Sequence, residues 1–73
     1  MKLKEPIDIR ERLMKQCGWY RIEEIAEHLQ LSSNTISRAL RGKPVRIITV
    51  KKLADAIGTT AADIAVIVND GEG

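Results

Sequence analysis

Apolar residues recur at every third or fourth position along most of this chain, which is the spacing of one face of an α-helix. The pattern predicts five short helices. The side chains expected to point inward, helix by helix, are Ile9, Leu13 and Cys17; Ile22, Ile25, Ala26 and Leu29; Ile36, Ala39 and Leu40; Val50, Leu53, Ala54 and Ile57; and Ile64 and Ile67. The sequence therefore predicts an all-α fold in which five helices surround one aliphatic core.

Residues that favour helix ends separate these segments. The predicted N-caps are Asp8, Ser32 and Thr60, and the predicted stops are Gly18, Gly42, Pro44 and Gly58. Glu11 and Asp63 lie three positions after the first and the last N-cap, which completes a capping box in each case. The apolar pattern of the fourth helix places its start near Thr49.

Two β-branched stretches, 45–50 and 65–68, are also compatible with short strands. Neither has an obvious hairpin partner, so an extended loop is favoured for the first and helix for the second. The expected organisation is an N-terminal arm over 1–7, a helical domain over 8–68 and a flexible tail over 69–73.

Length and composition exclude several classes of protein. Seventy-three residues form one small domain, and a single cysteine excludes a disulfide framework or a Cys-rich metal site. No apolar run has the length of a membrane span, and the N-terminus lacks the core of a signal peptide, so we expect a cytoplasmic protein. No phosphate-binding glycine loop, paired acids or metal-ligand spacing occurs. We therefore expect neither an enzyme nor a cofactor or metal.

Positive charge is concentrated in one third of the chain. The segment 30–54 contains no Asp or Glu but holds six of the twelve Lys and Arg residues. Such a segment attracts polyanions, of which phosphate backbones are the commonest. The alternative is a solvated basic surface without a partner.

The outer side of the predicted third helix suits base reading. It carries Ser33, Asn34, Ser37, Arg38 and Arg41, which are donors and acceptors without a carboxylate. The three-residue turn before this helix implies a steep crossing with the second helix, so the third would project from the surface. Side chains of these types bind base edges in the major groove, although a solvated helix can show the same polarity.

The segment 22–40 resembles the helix-turn-helix of the Cro/C1-type (XRE-like) DNA-binding domains of phage and bacterial regulators. Arg41-Gly42-Lys43-Pro44 is similar to that family's Asn-Gly-Lys loop, and the segment 50–58 is similar to its fourth helix. The resemblance covers about 8–68 and implies a five-helix, lambda-repressor-like domain. The run 35–40 also resembles the recognition helix of the LacI family, but that family places the motif at its extreme N-terminus.

The resemblance implies roles for individual residues. Those expected to contact bases are Ser33, Asn34, Ser37 and Arg38, and those expected to contact phosphates are Arg41, Lys43, Arg46 and a backbone amide at Thr49 or Val50. Two positions depart from the family pattern. Gln30 occupies the turn position that is usually glycine, and Ile22 occupies one where a glutamine often braces the recognition helix.

The implied function is a sequence-specific regulator, such as a repressor, that binds double-stranded DNA as a homodimer on an inverted repeat. The segment 61–68 is the expected dimer surface, and no small-molecule effector is apparent. Two alternatives stay open: an antitoxin-type protein-interaction module, and an architectural or recombination accessory factor.

Four residues outside the recognition helix have open interpretations. Trp19 is expected to pack in the core. His28 is expected to form a surface pair with Glu24, four residues earlier, and the alternative is a ligand or a pH switch. Lys51 and Lys52 can either approach DNA or face water.

Overall fold

The computed structural model describes residues 1–68, which form five α-helices and two short strands. In chain order the elements are β1 (Lys2–Leu3), α1 (Pro6–Arg12), a π-helical turn (Leu13–Cys17), α2 (Ile22–Leu29), α3 (Ser33–Leu40), α4 (Ile47–Ile57), α5 (Ala61–Ile64) and β2 (Ala65–Val66). The predominantly helical fold confirms the predicted fold class. The tail predicted over 69–73 lies outside the described residues.

None of the helices in this described part of the chain is both long and apolar enough to cross a membrane.

The core is aliphatic, as predicted, and the five α-helices, the π-helical turn and both strands all contribute buried side chains to it. The largest fully buried side chains are Leu13, Ile25, Ile36, Val50 and Leu53. Truncation of such a residue to alanine typically lowers the free energy of unfolding by about 2–5 kcal/mol. Because the domain is small, any one of these positions carries a large share of its stability.

The first helix begins at Pro6, so the prediction that Asp8 is its N-cap is wrong. Proline suits a first helical turn because its φ is already helical and its missing N–H would have no acceptor there. The carboxylate of Asp8 instead pairs with the Arg12 guanidinium one turn later, at 3.1 Å. The predicted stop is confirmed: Gly18 follows the π-helical turn with φ 73°.

The prediction of helix through 65–68 is also wrong. β2 pairs antiparallel with β1, with Lys2 opposite Val66 and Leu3 opposite Ala65. Ile67, expected to point inward, is 83% exposed. The partner strand comes from the segment predicted as an arm, more than 60 positions away along the chain. No local pattern signals such a pairing.

Two aromatic rings stack on the outer side of α2. The rings of Trp19 and His28 lie nearly parallel, with centroids 4.5 Å apart. The predicted Glu24–His28 pair is replaced by another contact, because the Glu24 carboxylate accepts from the backbone amides of Tyr20, at 2.9 Å, and Arg21, at 3.4 Å. Trp19 is half-buried against the core. The turn that precedes α2 is thus held by side chains of α2 itself.

Candidate nucleic-acid interface

α2 and α3 are joined by a turn of three residues, and its central feature is a left-handed backbone at Gln30. This residue has φ 57° and ψ 45°. Its amide and the next one donate back into α2: Gln30 to the Glu27 carbonyl, at 3.2 Å, and Leu31 to the Ala26 carbonyl, at 2.9 Å. Gln30 therefore adopts the conformation for which glycine is usually selected, at some cost in strain.

Ser32 is the N-cap of α3, as predicted. Its hydroxyl oxygen accepts from the Thr35 amide at 3.1 Å, and it lies 2.8 Å from the Thr35 hydroxyl. The serine caps an amide of the first turn that has no partner within the helix. The cap fixes the start of α3, so that Ser33 and Asn34 occupy an exposed first turn.

The residues predicted to contact bases share one side of α3. Ser33, Asn34 and Arg38 are exposed and Ser37 is half-buried, whereas Ile36 and Ala39 face the core. At 100° per residue, the four polar positions lie within an arc of about 140°. The structure therefore brings the predicted base-contacting set together on a single surface.

Arg38 is already engaged with the loop between α3 and α4. Its Nη2 atom donates to the Pro44 carbonyl at 3.4 Å, which is a long and exposed hydrogen bond. Its own carbonyl accepts from the Lys43 amide at 3.0 Å. The 3.4 Å bond from the Arg38 side chain is weak, so another acceptor can replace the Pro44 carbonyl at little cost.

Three cations predicted to contact phosphates lie on or beside this loop. Arg41, Lys43 and Arg46 are all exposed. A groove of about 500 Å³ runs between α3 and the start of α4, and Arg38 and Arg46 both line it. Because the segment 30–54 contains no acidic residue, none of its own side chains neutralises these cations.

Thr49 lies against this groove, but its surface is almost entirely covered. The helix begins two residues earlier than predicted, and Thr49 is only 2% exposed. Its amide and that of Val50 both donate to the Arg46 carbonyl, at 3.1 and 3.4 Å. The amides of the first residues of a helix have no acceptor within that helix. In α4 these residues are Ile47 and Ile48. The amides expected to bind phosphate at this helix start are therefore those of Ile47 and Ile48.

Sequence reasoning missed the contact that holds the loop in place. The Val45 amide donates to the Met1 carbonyl at 2.7 Å, and the Met1 amino group donates to the Val45 carbonyl at 2.8 Å. Met1, the residue directly before β1, thus positions the loop with Lys43 and Arg46. Only the β-branched character of Val45 and its neighbours signalled an extended backbone here, and nothing in the sequence pointed to Met1.

Two helices joined by a tight turn, with a polar second helix that leads into a basic loop, define a helix-turn-helix DNA-binding domain. Residues 11–70 match the family model of the Cro/C1-type HTH DNA-binding domain. The chain belongs to this family, which confirms the resemblance seen in its sequence. No curated protein and no solved structure matches it significantly.

Proposed function

We propose that this DNA-binding domain is a sequence-specific transcriptional regulator of phage or bacterial type, which reads the major groove with α3 and represses by occupying its operator. The observation that carries the proposal is the capped, carboxylate-free outer side of α3 beside an exposed basic loop. Base reading needs directional donors and acceptors on a projecting helix, and phosphate binding needs cations next to it. In this domain the donors and acceptors of α3 and the cations of the loop lie on adjoining surfaces.

Within this proposal the polar residues have two roles. Ser33, Asn34, Ser37 and Arg38 contact bases, with Asn34 suited to adenine and Arg38 to guanine. The second role is phosphate binding, which belongs to Arg41, Lys43, Arg46 and the amides of Ile47 and Ile48. The phosphate contacts orient the domain on the duplex, and α3 supplies the discrimination among sequences.

We further propose that the regulator is a homodimer. One α3 spans too few base pairs to find a site in a genome, and a two-fold dimer doubles the sequence that is read. The segment 61–68 supports this because, among residues 1–68, β2 pairs with β1 alone, and the apolar side chains of Val66 in the strand and of Ile67 just after it are 40% and 83% exposed. The run 64–68 has no charged residue, so two copies can meet there without like-charge repulsion.

The experiment that tests the proposed function is selection of bound duplexes from a random library at moderate salt. We expect an enriched palindrome with half-sites about 10 base pairs apart. Retention without enrichment would instead indicate an architectural DNA-binding protein. Failure to retain any duplex, by protein whose circular dichroism shows it folded, would contradict DNA binding as such.

Sedimentation tests the dimer. At micromolar concentration we expect the wild type to sediment as a dimer and Ile67→Lys as a monomer. Ile7→Lys is the matched control, because Ile7 on α1 is 79% exposed and lies outside the proposed surface. A wild type that stays monomeric with and without the selected duplex would rule the dimer out.

A further inference from the structure

The side chain of Lys52 reaches from α4 to the end of α2. Its Nζ atom donates to the Leu29 carbonyl at 3.0 Å, across 23 positions of the chain, and the contact is partly buried. Its neighbour Lys51 is exposed and lines a different groove, between α4 and α5. Two adjacent lysines of one helix therefore have different surroundings.

The carbonyl that Lys52 contacts lies where the chain changes direction. Leu29 is the last residue of α2, and the left-handed Gln30 follows it. The carbonyls of Ala26 and Glu27 are satisfied by amides of the turn. Carbonyls at a helix C-terminus carry partial negative charge, and a cation there stabilises the helix end. Lys52 thus stabilises the turn that sets the direction of α3.

The same lysine belongs to the helix whose start is proposed to bind phosphate. α4 starts with Ile47 and Ile48 after its N-cap, Arg46, and Lys52 lies further along that helix. A contact from α4 to the end of α2 therefore links the phosphate-binding surface to the base-reading helix. Base and phosphate contacts must form together in one register, so a fixed angle between these surfaces favours the matching sequence.

We propose that Lys52 is a positioning residue for base reading, which acts through its hydrogen bond to the Leu29 carbonyl and does not itself contact DNA. This inference rests on the proposed function, because it presupposes that α3 discriminates among sequences. The competing interpretation is that Lys52 contacts a phosphate. The two differ in salt dependence, since loss of one phosphate contact makes the salt slope of binding shallower by about one.

The test compares Lys52→Met, Lys52→Arg and Lys51→Met. Methionine keeps an unbranched stem while it removes the charge and the donor, and Lys51→Met removes the same charge from the same helix. Affinities for the selected duplex and for a scrambled duplex are measured across a range of salt concentrations. Thermal unfolding confirms that each variant is folded.

We expect Lys52→Met to lower the ratio of the two affinities by about tenfold, the equivalent of one charge-assisted hydrogen bond. Its salt slope on the scrambled duplex should equal that of Lys51→Met. Lys52→Arg should keep most of the wild-type ratio, because its guanidinium can donate to the same carbonyl. In the free protein, the Leu31 amide should exchange its hydrogen faster in Lys52→Met than in Lys51→Met.

Three results would overturn the inference. A salt slope shallower by about one than that of Lys51→Met would make Lys52 a phosphate contact. An affinity ratio equal to that of Lys51→Met would remove the positioning role, and an unchanged Leu31 exchange rate would show that the Lys52 hydrogen bond does not stabilise the turn. If the wild type selects no duplex at all, the proposed function fails and the role in base reading fails with it, whereas the exchange rate still decides whether the hydrogen bond stabilises the turn.

Discussion

Replacement of Gln30 by glycine should stabilise the domain, although glycine usually weakens a helical protein. Gln30 is the one non-glycine residue with positive φ in the described part of the chain. Its amide donates to the Glu27 carbonyl, a bond that glycine can also make. None of the hydrogen bonds found among residues 1–68 uses the Gln30 side chain. The substitution therefore changes little besides the backbone preference at this position.

The expected gain is the difference between two opposing terms. A side chain in the left-handed region costs about 1–2 kcal/mol, because Cβ approaches the following carbonyl oxygen. Glycine avoids this cost, but its more flexible unfolded chain offsets about 0.5–1 kcal/mol. The mid-range values of the two terms leave a net gain of about 0.5–1 kcal/mol in the free energy of unfolding. For a domain of this size it corresponds to an increase of about 2–8 °C in Tm.

Thermal unfolding followed by circular dichroism at 222 nm measures this change. Glu27→Gly is the matched control, because Glu27 is exposed in α2, the helix that ends just before Gln30, and has ordinary helical geometry. There glycine should lower the stability by about 1 kcal/mol and Tm by about 4–8 °C. If Gln30→Gly lowers Tm as much as the control does, the argument from backbone strain is wrong.

Two further predictions concern α3 and the loop that follows it. Arg38→Ala should weaken binding to the selected duplex by about 1–3 kcal/mol and relax its sequence preference, whereas Lys43→Ala should weaken all sequences alike and make the salt slope shallower by about one. Titration of both variants against selected and scrambled duplexes checks this, and identical behaviour would refute the division between base and phosphate contacts. Ser32→Ala should lower the free energy of unfolding by about 1 kcal/mol through loss of the N-cap, measured by urea titration. Ser33→Ala, one position later and without that contact, should change it by less than about 0.5 kcal/mol.

The helix-turn-helix was predictable because its determinants are local. Ser32 caps the amide of Thr35, three positions away, and the stripe that contains Ile36 and Ala39 lies within one helix. Such features depend on residues a few positions apart, so the sequence displays them directly. The exposed side of α3 was predictable for the same reason, because it consists of the residues that do not belong to the buried stripe.

The misplaced features depend on distant partners or on weak local signals. The strand at Ala65–Val66 exists because Lys2–Leu3 pairs with it, and neither segment has a hairpin partner nearby. The start of α4 was misplaced because its N-cap is Arg46, which makes no capping hydrogen bond with its side chain. The backbone before Ile47 is extended, and two hydrogen bonds between Val45 and Met1 hold it there.

Local and distant determinants contribute differently to the proposed DNA recognition. The residues proposed to contact bases all lie within α3, so substitutions on its outer side leave the core contacts of Ile36 and Ala39 in place. The placement of α3 and of the basic loop depends on contacts from elsewhere in the chain: Lys52 with Leu29, and Met1 with Val45. Under the proposed function, exchange of residues on α3 should therefore change which sequence is preferred. A change in either distant contact should reduce discrimination without selecting a new sequence, because it alters the angle between two surfaces and not the groups that α3 presents.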